Sequence, residues 1–297
     1  IDGHPYVSDF INSYSAGVLC VSNWSTPVNI YDPQVQASLQ AKLVAPVVLE
    51  SPFYNQYPPV MFLIMLPLSL FSMPHAWIFW SLFSLSFMAL ALRLTILPQY
   101  QSWKEKLIAG TALFATAPMW YSYKLGQTSL FLAPVVMIFF HLMSRGMFFA
   151  GGLMASLVIL KLQYLPLIAA VGTAIGRLKF LAGFSLGSAA LLLGSFFAVG
   201  KDNFLAFPRA ILEGESGARG SGVAPEAMQN LRGFLVLLTG GDSRTVHLIA
   251  ATALLASIAF LFFLWWRLDY QKNPEQKKRP FDLLYALTLL LMLLQKH

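Results

Sequence analysis

The residues best suited to chemistry open a polar stretch in an otherwise apolar chain. Between Asp9 and Pro59 lie the carboxylates Asp9, Asp32 and Glu50, and the stretch closes on Phe53-Tyr54-Asn55-Gln56-Tyr57-Pro58-Pro59. A carboxylate at the mouth of a membrane protein is placed to take a proton from a hydroxyl, the step that group transfer to an alcohol needs. Asp9 is the candidate base, against the ordinary alternative of a solvated loop charge. Downstream, Lys161 and Gln163 interrupt two apolar arms. An ionisable group at mid-membrane costs about 2.5–3.5 kcal/mol on insertion scales, so Lys161 is either functional or snorkels to the headgroups. Gly126-Gln127 either contributes a functional amide or simply ends one helix and caps the next. Arg209, Arg219 and Arg232 are the arginines of the stretch 200–243. A guanidinium fork suits a phosphate. Arg219, among Gly and Ser, reads as solvated, while Arg232, ahead of Gly233-Phe234-Leu235, is the better phosphate ligand.

These residues need a scaffold, and composition identifies it. Of 297 residues 57% are hydrophobic and only 11% charged, with mean hydropathy +0.63; soluble domains carry about a quarter charged residues. The expectation is an all-α, polytopic integral membrane protein forming a single transmembrane domain over 1–297. The net charge of +7 resides in short connectors between apolar runs, as membrane topology requires, and excludes a nucleic-acid partner. The lone Cys20 forms no internal disulfide. The chain begins on Ile1 and stops directly after an apolar run, so both ends are read as cut and a transmembrane helix is expected before Asp9.

Spans are expected at 75–97, 107–124, 128–143, 180–199, 244–266 and 281–294, with 147–176 a hairpin broken at Lys161-Leu162-Gln163-Tyr164. Phe10–Val21 and Ser38–Leu49 read as interfacial helices in a long first external loop. Val60–Phe71 would rise only about 18 Å against a hydrocarbon core of roughly 30 Å, which makes it juxtamembrane or re-entrant. The Gly-rich stretch 200–243 reads as a mobile external loop. Trp77, Trp80, Trp265 and Trp266 are placed for interfacial belts. Connectors 98–106, 144–147, 176–179 and 267–280 hold ten basic residues, the long stretches 9–59 and 200–243 only five. The positive-inside rule therefore puts Asp9, Tyr57, Gln127, Lys161 and Arg232 on one outer face. The sequence contains no Gly-rich phosphate loop, no zinc-spaced Cys/His cluster and no Gly-x-Ser-x-Gly elbow; no metal and no cofactor is expected.

Asp9-Phe10-Ile11-Asn12-Ser13-Tyr14-Ser15-Ala16-Gly17, Ile30-Tyr31-Asp32-Pro33, Tyr57-Pro58-Pro59 before Leu66-Pro67-Leu68, Gly126-Gln127, and Lys161-Leu162-Gln163 before Leu165-Pro166 together resemble glycosyltransferase family 87. These are mannosyltransferase-like membrane proteins of the GT-C class, in which Lys-Pro-Gln is usual where this chain has Lys161-Leu162-Gln163. The resemblance implies a polyprenyl-phosphate sugar donor, a glycan or glycolipid acceptor on the outer face, inversion at the anomeric carbon and a carboxylate base that maps onto Asp9. It implies a multi-pass protein of a prokaryotic plasma membrane. Lys161 and Arg232 would flank the phosphate; Tyr57, Gln127 and Gln163 would position sugar or phosphate; Tyr31 and Asp32 would shape the loop. A transporter or flippase of lipid-linked saccharides is the competing function, and a scaffold of a polysaccharide assembly complex the third. A transporter spreads polar residues through the bilayer depth, whereas an enzyme gathers them on one face.

Overall fold

A chain this apolar has little access to water along its length, and helix is the local structure that satisfies each backbone N–H and C=O within its own segment. The computed structural model describes residues 9–49, 53–55, 57–215, 231–269 and 282–288; these are helical apart from short connections, with no strand among them. The fold is all-α, as expected. The helices are α1 (Asp9–Ser25), α2 (Pro33–Val44), α3 (Pro59–Met65), α4 (Met73–Thr95), α5 (Trp103–Phe114), α6 (Ala117–Lys124), α7 (Ser129–Ser144), α8 (Phe148–Ser156), α9 (Leu165–Val199), α10 (Lys201–Glu215), α11 (Leu231–Thr239) and α12 (Arg244–Asp269). Among the described residues three stretches are long and apolar enough to cross a membrane: Met73–Gln99, Leu178–Val199 and Arg244–Arg267. The chain divides into two compact units, one of residues 1–138 and 189–222, the other of 139–188 and 223–297.

The first unit is built on α1. Phe10, Ile11, Tyr14, Ala16, Leu19 and Cys20 are all buried, so the expected interfacial helix is a core helix instead. Its polar residues are small and find partners within the protein, which removes the need for a wet face. At Gly17 the backbones of α1 and α3 meet: a Cβ there would lie 2.5 Å from the Met65 carbonyl oxygen. The Tyr14 hydroxyl donates to Phe71 O at 2.6 Å. Helix α9 ends with carbonyls that have no helical partner, and α1 supplies one set of donors. Trp24 Nε1 donates to Ala198 O at 2.8 Å and Asn23 Nδ2 to Val199 O at 3.0 Å. Ile30, Tyr31, Phe62, Val199 and Ala210 pack beside Leu19 and Cys20.

Several expected boundaries move. The span 107–124 is two helices, α5 and α6, with an extended Thr116 between them and a proline in the first turn of α6; a proline has no N–H to continue the preceding helix and is favoured in a first turn. The connector 176–179 is wound into α9. The stretch 200–243 is helical at both described ends, as α10 and α11, with 216–230 outside the described residues; Phe204, Ala206 and Phe207 of α10 pack on the first unit's core. The helix expected at Ser38–Leu49 runs from Pro33 to Val44, with Gln36 and Gln40 buried. Of 281–294, only 282–288 is described, as helix. Trp80 and Trp265 are core residues rather than belt residues. Trp80 Nε1 donates to Gly126 O at 3.2 Å and Trp265 Nε1 to Thr288 Oγ1 at 3.1 Å, the partners a buried indole requires.

In the second unit the chain breaks at Lys161, whose backbone is extended between two short 3-10 turns, Leu157–Leu160 and Leu162–Tyr164, where the hairpin tip is expected. Phe140 packs on Trp265 and Tyr285 with ring centroids 5.7 and 4.3 Å apart.

Candidate active site

Asp9 occupies the first turn of α1, and the residue that meets it comes from the far end of α6. That helix closes with two backbone bonds, Gly126 N to Tyr123 O and Gln127 N to Ser122 O at 2.9 Å, the pattern that forces the intervening residue into a left-handed conformation. Gly126 is that residue, at φ +63, and a Cβ on it would approach Phe10 Cβ at 2.7 Å. Only glycine satisfies both conditions. The turn delivers Gln127, whose Nε2 donates to Asp9 Oδ2 at 2.8 Å, and the Ser122 hydroxyl lies 3.5 Å from Gln127 Oε1.

The third member, Tyr57, sits between α2 and α3 on a loop held by buried amides. Gln40 brackets Phe53, accepting from its N–H at 2.8 Å and donating to its carbonyl at 2.6 Å. Gln36 Oε1 accepts from Asn55 N at 2.6 Å, and its Nε2 donates to Ile30 O at 2.8 Å. Asn55 then accepts from Tyr57 N at 2.8 Å and donates to Asn12 O at 3.2 Å. The Tyr31 hydroxyl donates to Tyr57 O at 3.0 Å. So placed, the Tyr57 phenol lies within electrostatic reach of Asp9 and of the hydroxyls of Ser13 and Thr128. Burial first, and then the negative charge of Asp9, push its pKa above the usual tyrosine value, while the two hydroxyls pull the other way. The phenol is thus a neutral hydrogen-bond donor at physiological pH. Asn12 Oδ1 is buried and has no hydrogen-bond partner among the described residues.

The structure thus brings together Asp9, Tyr57 and Gln127, with Tyr31 one bond removed. Asp32 caps α2, its Oδ1 accepting from Gln34 N at 2.7 Å and Val35 N at 3.3 Å. Glu50 lies outside the described residues. Lys161, Gln163 and Arg232 belong to the second unit, Lys161 and Gln163 half-buried at the break. Arg232 is buried; its Nη2 lies 2.6 Å from Asp242 Oδ2, and His247 Nε2 3.2 Å from Asp242 Oδ1. The hydrogen bond from Arg232 is the main reason that the Asp242 carboxyl is held below the usual carboxylate range. Among the described residues no three His, Cys, Asp or Glu side chains converge as metal ligands do. Sequence reasoning missed Ser13, Gln36, Gln40, Asn55 and Thr128. The four-residue spacing of Gln36 and Gln40, which puts both on one face of a helix, was the available signal for the loop clamp.

Chemically, the first-unit cluster offers a carboxylate oxygen to receive a proton, a neutral phenol to donate a hydrogen bond and an amide to hold the carboxylate. The model of glycosyltransferase family 87 matches residues 55–294. That range includes Tyr57, Gln127, Lys161, Gln163 and Arg232, while Asp9, Tyr31 and Asp32 precede it. No curated protein and no solved structure matches the chain.

Proposed function

The chain belongs to glycosyltransferase family 87 and is a membrane glycosyltransferase; we propose that it takes its sugar from a polyprenyl-phosphate donor, with Asp9 as the general base, on the outer face of a multi-pass GT-C-type fold. In this reaction Asp9 accepts the proton of the acceptor hydroxyl as that oxygen bonds to the anomeric carbon. The bond from that carbon to the phosphate oxygen breaks, and polyprenyl phosphate leaves with the electron pair. A single displacement of this kind inverts the anomeric centre. A departing phosphate is stabilised by positive charge, the role that the family resemblance implies for Lys161 and Arg232 of the second unit. Tyr57 donates a hydrogen bond to the sugar. The acceptor is a glycan or glycolipid at the membrane surface.

The observation that carries this reading is the bond from Gln127 to Asp9, with the loop of Tyr57 tied to Asn12 of the same helix by Asn55, and with Gln127, Asn55 and Tyr57 all coming from the stretch that matches the family. The test is transfer from a panel of radiolabelled polyprenyl-phosphate hexoses and pentoses in membranes containing the protein, compared with Asp9→Asn. One donor should support transfer, and Asp9→Asn should lower turnover by about 10²–10⁴-fold, the usual contribution of a general base. Transfer by Asp9→Asn at the wild-type rate would remove Asp9 from the mechanism, and failure of every lipid-phosphate donor alongside success of a nucleotide sugar would overturn the donor class.

A further inference from the structure

We infer that Gln127 is a positioning residue for the base, acting through Asp9 rather than on sugar or phosphate; the inference rests on Asp9 being that base. A carboxylate on two rotatable bonds presents its oxygens in many directions. One bond from a fixed donor settles which oxygen faces the acceptor. Here Gln127 Nε2 takes Oδ2 at 2.8 Å, and Oδ1 is the oxygen that receives the proton.

The donor is itself fixed at both ends. Its backbone N–H is bonded to Ser122 O at 2.9 Å, and the preceding left-handed Gly126 is wedged against Phe10 with its carbonyl taken by Trp80. The Ser122 hydroxyl marks the oxygen end of the amide, so the nitrogen end is turned to Asp9. Both ends of the side chain are thus engaged inside the protein. An amide also orients a carboxylate without bringing a counter-charge, whereas a guanidinium in the same place would favour the ionised form and oppose proton transfer. Displacing a base by about 1 Å is enough to cost on the order of 10²-fold in rate.

The test uses the purified full chain in detergent and the radiolabelled donor that supports transfer by the wild type. Turnover and donor KM are measured for Gln127→Ala, for Gln127→Met, which keeps length and packing but loses the donor, for Asp9→Asn, and for the double variant Asp9→Asn/Gln127→Ala. Both single Gln127 variants should lose about 10–100-fold in kcat with donor KM within about threefold. The double variant should be no slower than Asp9→Asn alone, because Gln127 has nothing left to position. The inference is overturned if donor KM rises about tenfold while kcat is kept, as for a substrate ligand, or if the double variant shows the product of the two losses. It also falls if Asp9→Asn keeps wild-type turnover; that outcome removes the base itself, and so differs from failure of positioning alone, in which Asp9→Asn still abolishes transfer.

Discussion

Two carboxylates in this protein are held by partners of opposite kinds. Asp9 accepts from the neutral amide of Gln127, 118 residues away. Asp242 accepts from the guanidinium of Arg232, 10 residues away, and lies against His247 one turn into α12. The first is a tertiary assembly: α1, the end of α6 and the loop before α3 must all be in place before the carboxylate has its neighbours. The second closes within a short segment, and the buried Arg232 requires its counter-ion because an isolated charge in an apolar interior is costly. The difference separates a carboxylate oriented by a neutral donor, as the proposed proton transfer needs, from one that neutralises a cation. A neutral donor orients a carboxylate with a weaker pull towards the ionised form than the full charge of a guanidinium exerts.

Exchanging the two residues' fates is the most direct way to break this contrast. Asp9→Asn should give the largest functional loss, about 10²–10⁴-fold in turnover, with a thermal midpoint close to wild type. Asp242→Asn should do the reverse. It removes the charge that the buried Arg232 meets at 2.6 Å and should destabilise the second unit by roughly 2–3 kcal/mol, read as a lower midpoint, with turnover per folded molecule reduced far less than by Asp9→Asn. Equal turnover losses would erase the distinction. The same pair has a pH signature. Because the Asp242 carboxyl is held below its ordinary value of 3.8, its contribution is fully present above that value and is lost as pH falls below it towards the folded-state pKa. Hydrogen exchange of α11 and the start of α12, followed downward from neutral pH, should show protection lost in that acid window in the wild type and already weakened at neutral pH in Asp242→Asn.

A smaller effect sharpens the assembly side of the comparison. Gln40→Leu removes both bonds to Phe53 and should cost about 1–3 kcal/mol, the usual penalty for leaving buried polar groups unmet. Turnover should fall with it, since the Phe53-to-Tyr57 segment loses its anchor. Unchanged turnover would mean that Gln36 and Asn55 hold Tyr57 without help. The smallest effect belongs to Asp32. Asparagine caps a helix about as well as aspartate, so Asp32→Asn should stay within about 0.5 kcal/mol of wild type with unaltered transfer. A large loss in that variant would give the third carboxylate a role beyond capping α2.

Hydropathy by itself determined the all-α membrane class and the neighbourhoods of the long helices: the spans expected at 75–97, 180–199 and 244–266 fall inside Met73–Gln99, Leu178–Val199 and Arg244–Arg267. Those features depend on composition over one segment, which is local information. The break at Lys161 was also legible, because a run of polar side chains interrupts two apolar arms. Pro118 carried a signal for the division of 107–124, since a proline favours the first turn of a helix over its interior, although Pro134 and Pro208 lie inside α7 and α10. The pattern of basic residues gave only an expectation that Asp9 and Gln127 share a face; their 2.8 Å contact depends on Gly126 turning against Phe10, a meeting of segments over a hundred residues apart. Composition did not reveal that most of α1 and one face of α2 are buried. Polar residues such as Ser13, Gln36 and Gln40 read locally as surface, and only the arrival of the Phe53-to-Tyr57 loop supplies the backbone groups that let them be buried. The tertiary structure decided their role because a polar side chain is stable inside a protein only where another segment completes its hydrogen bonds.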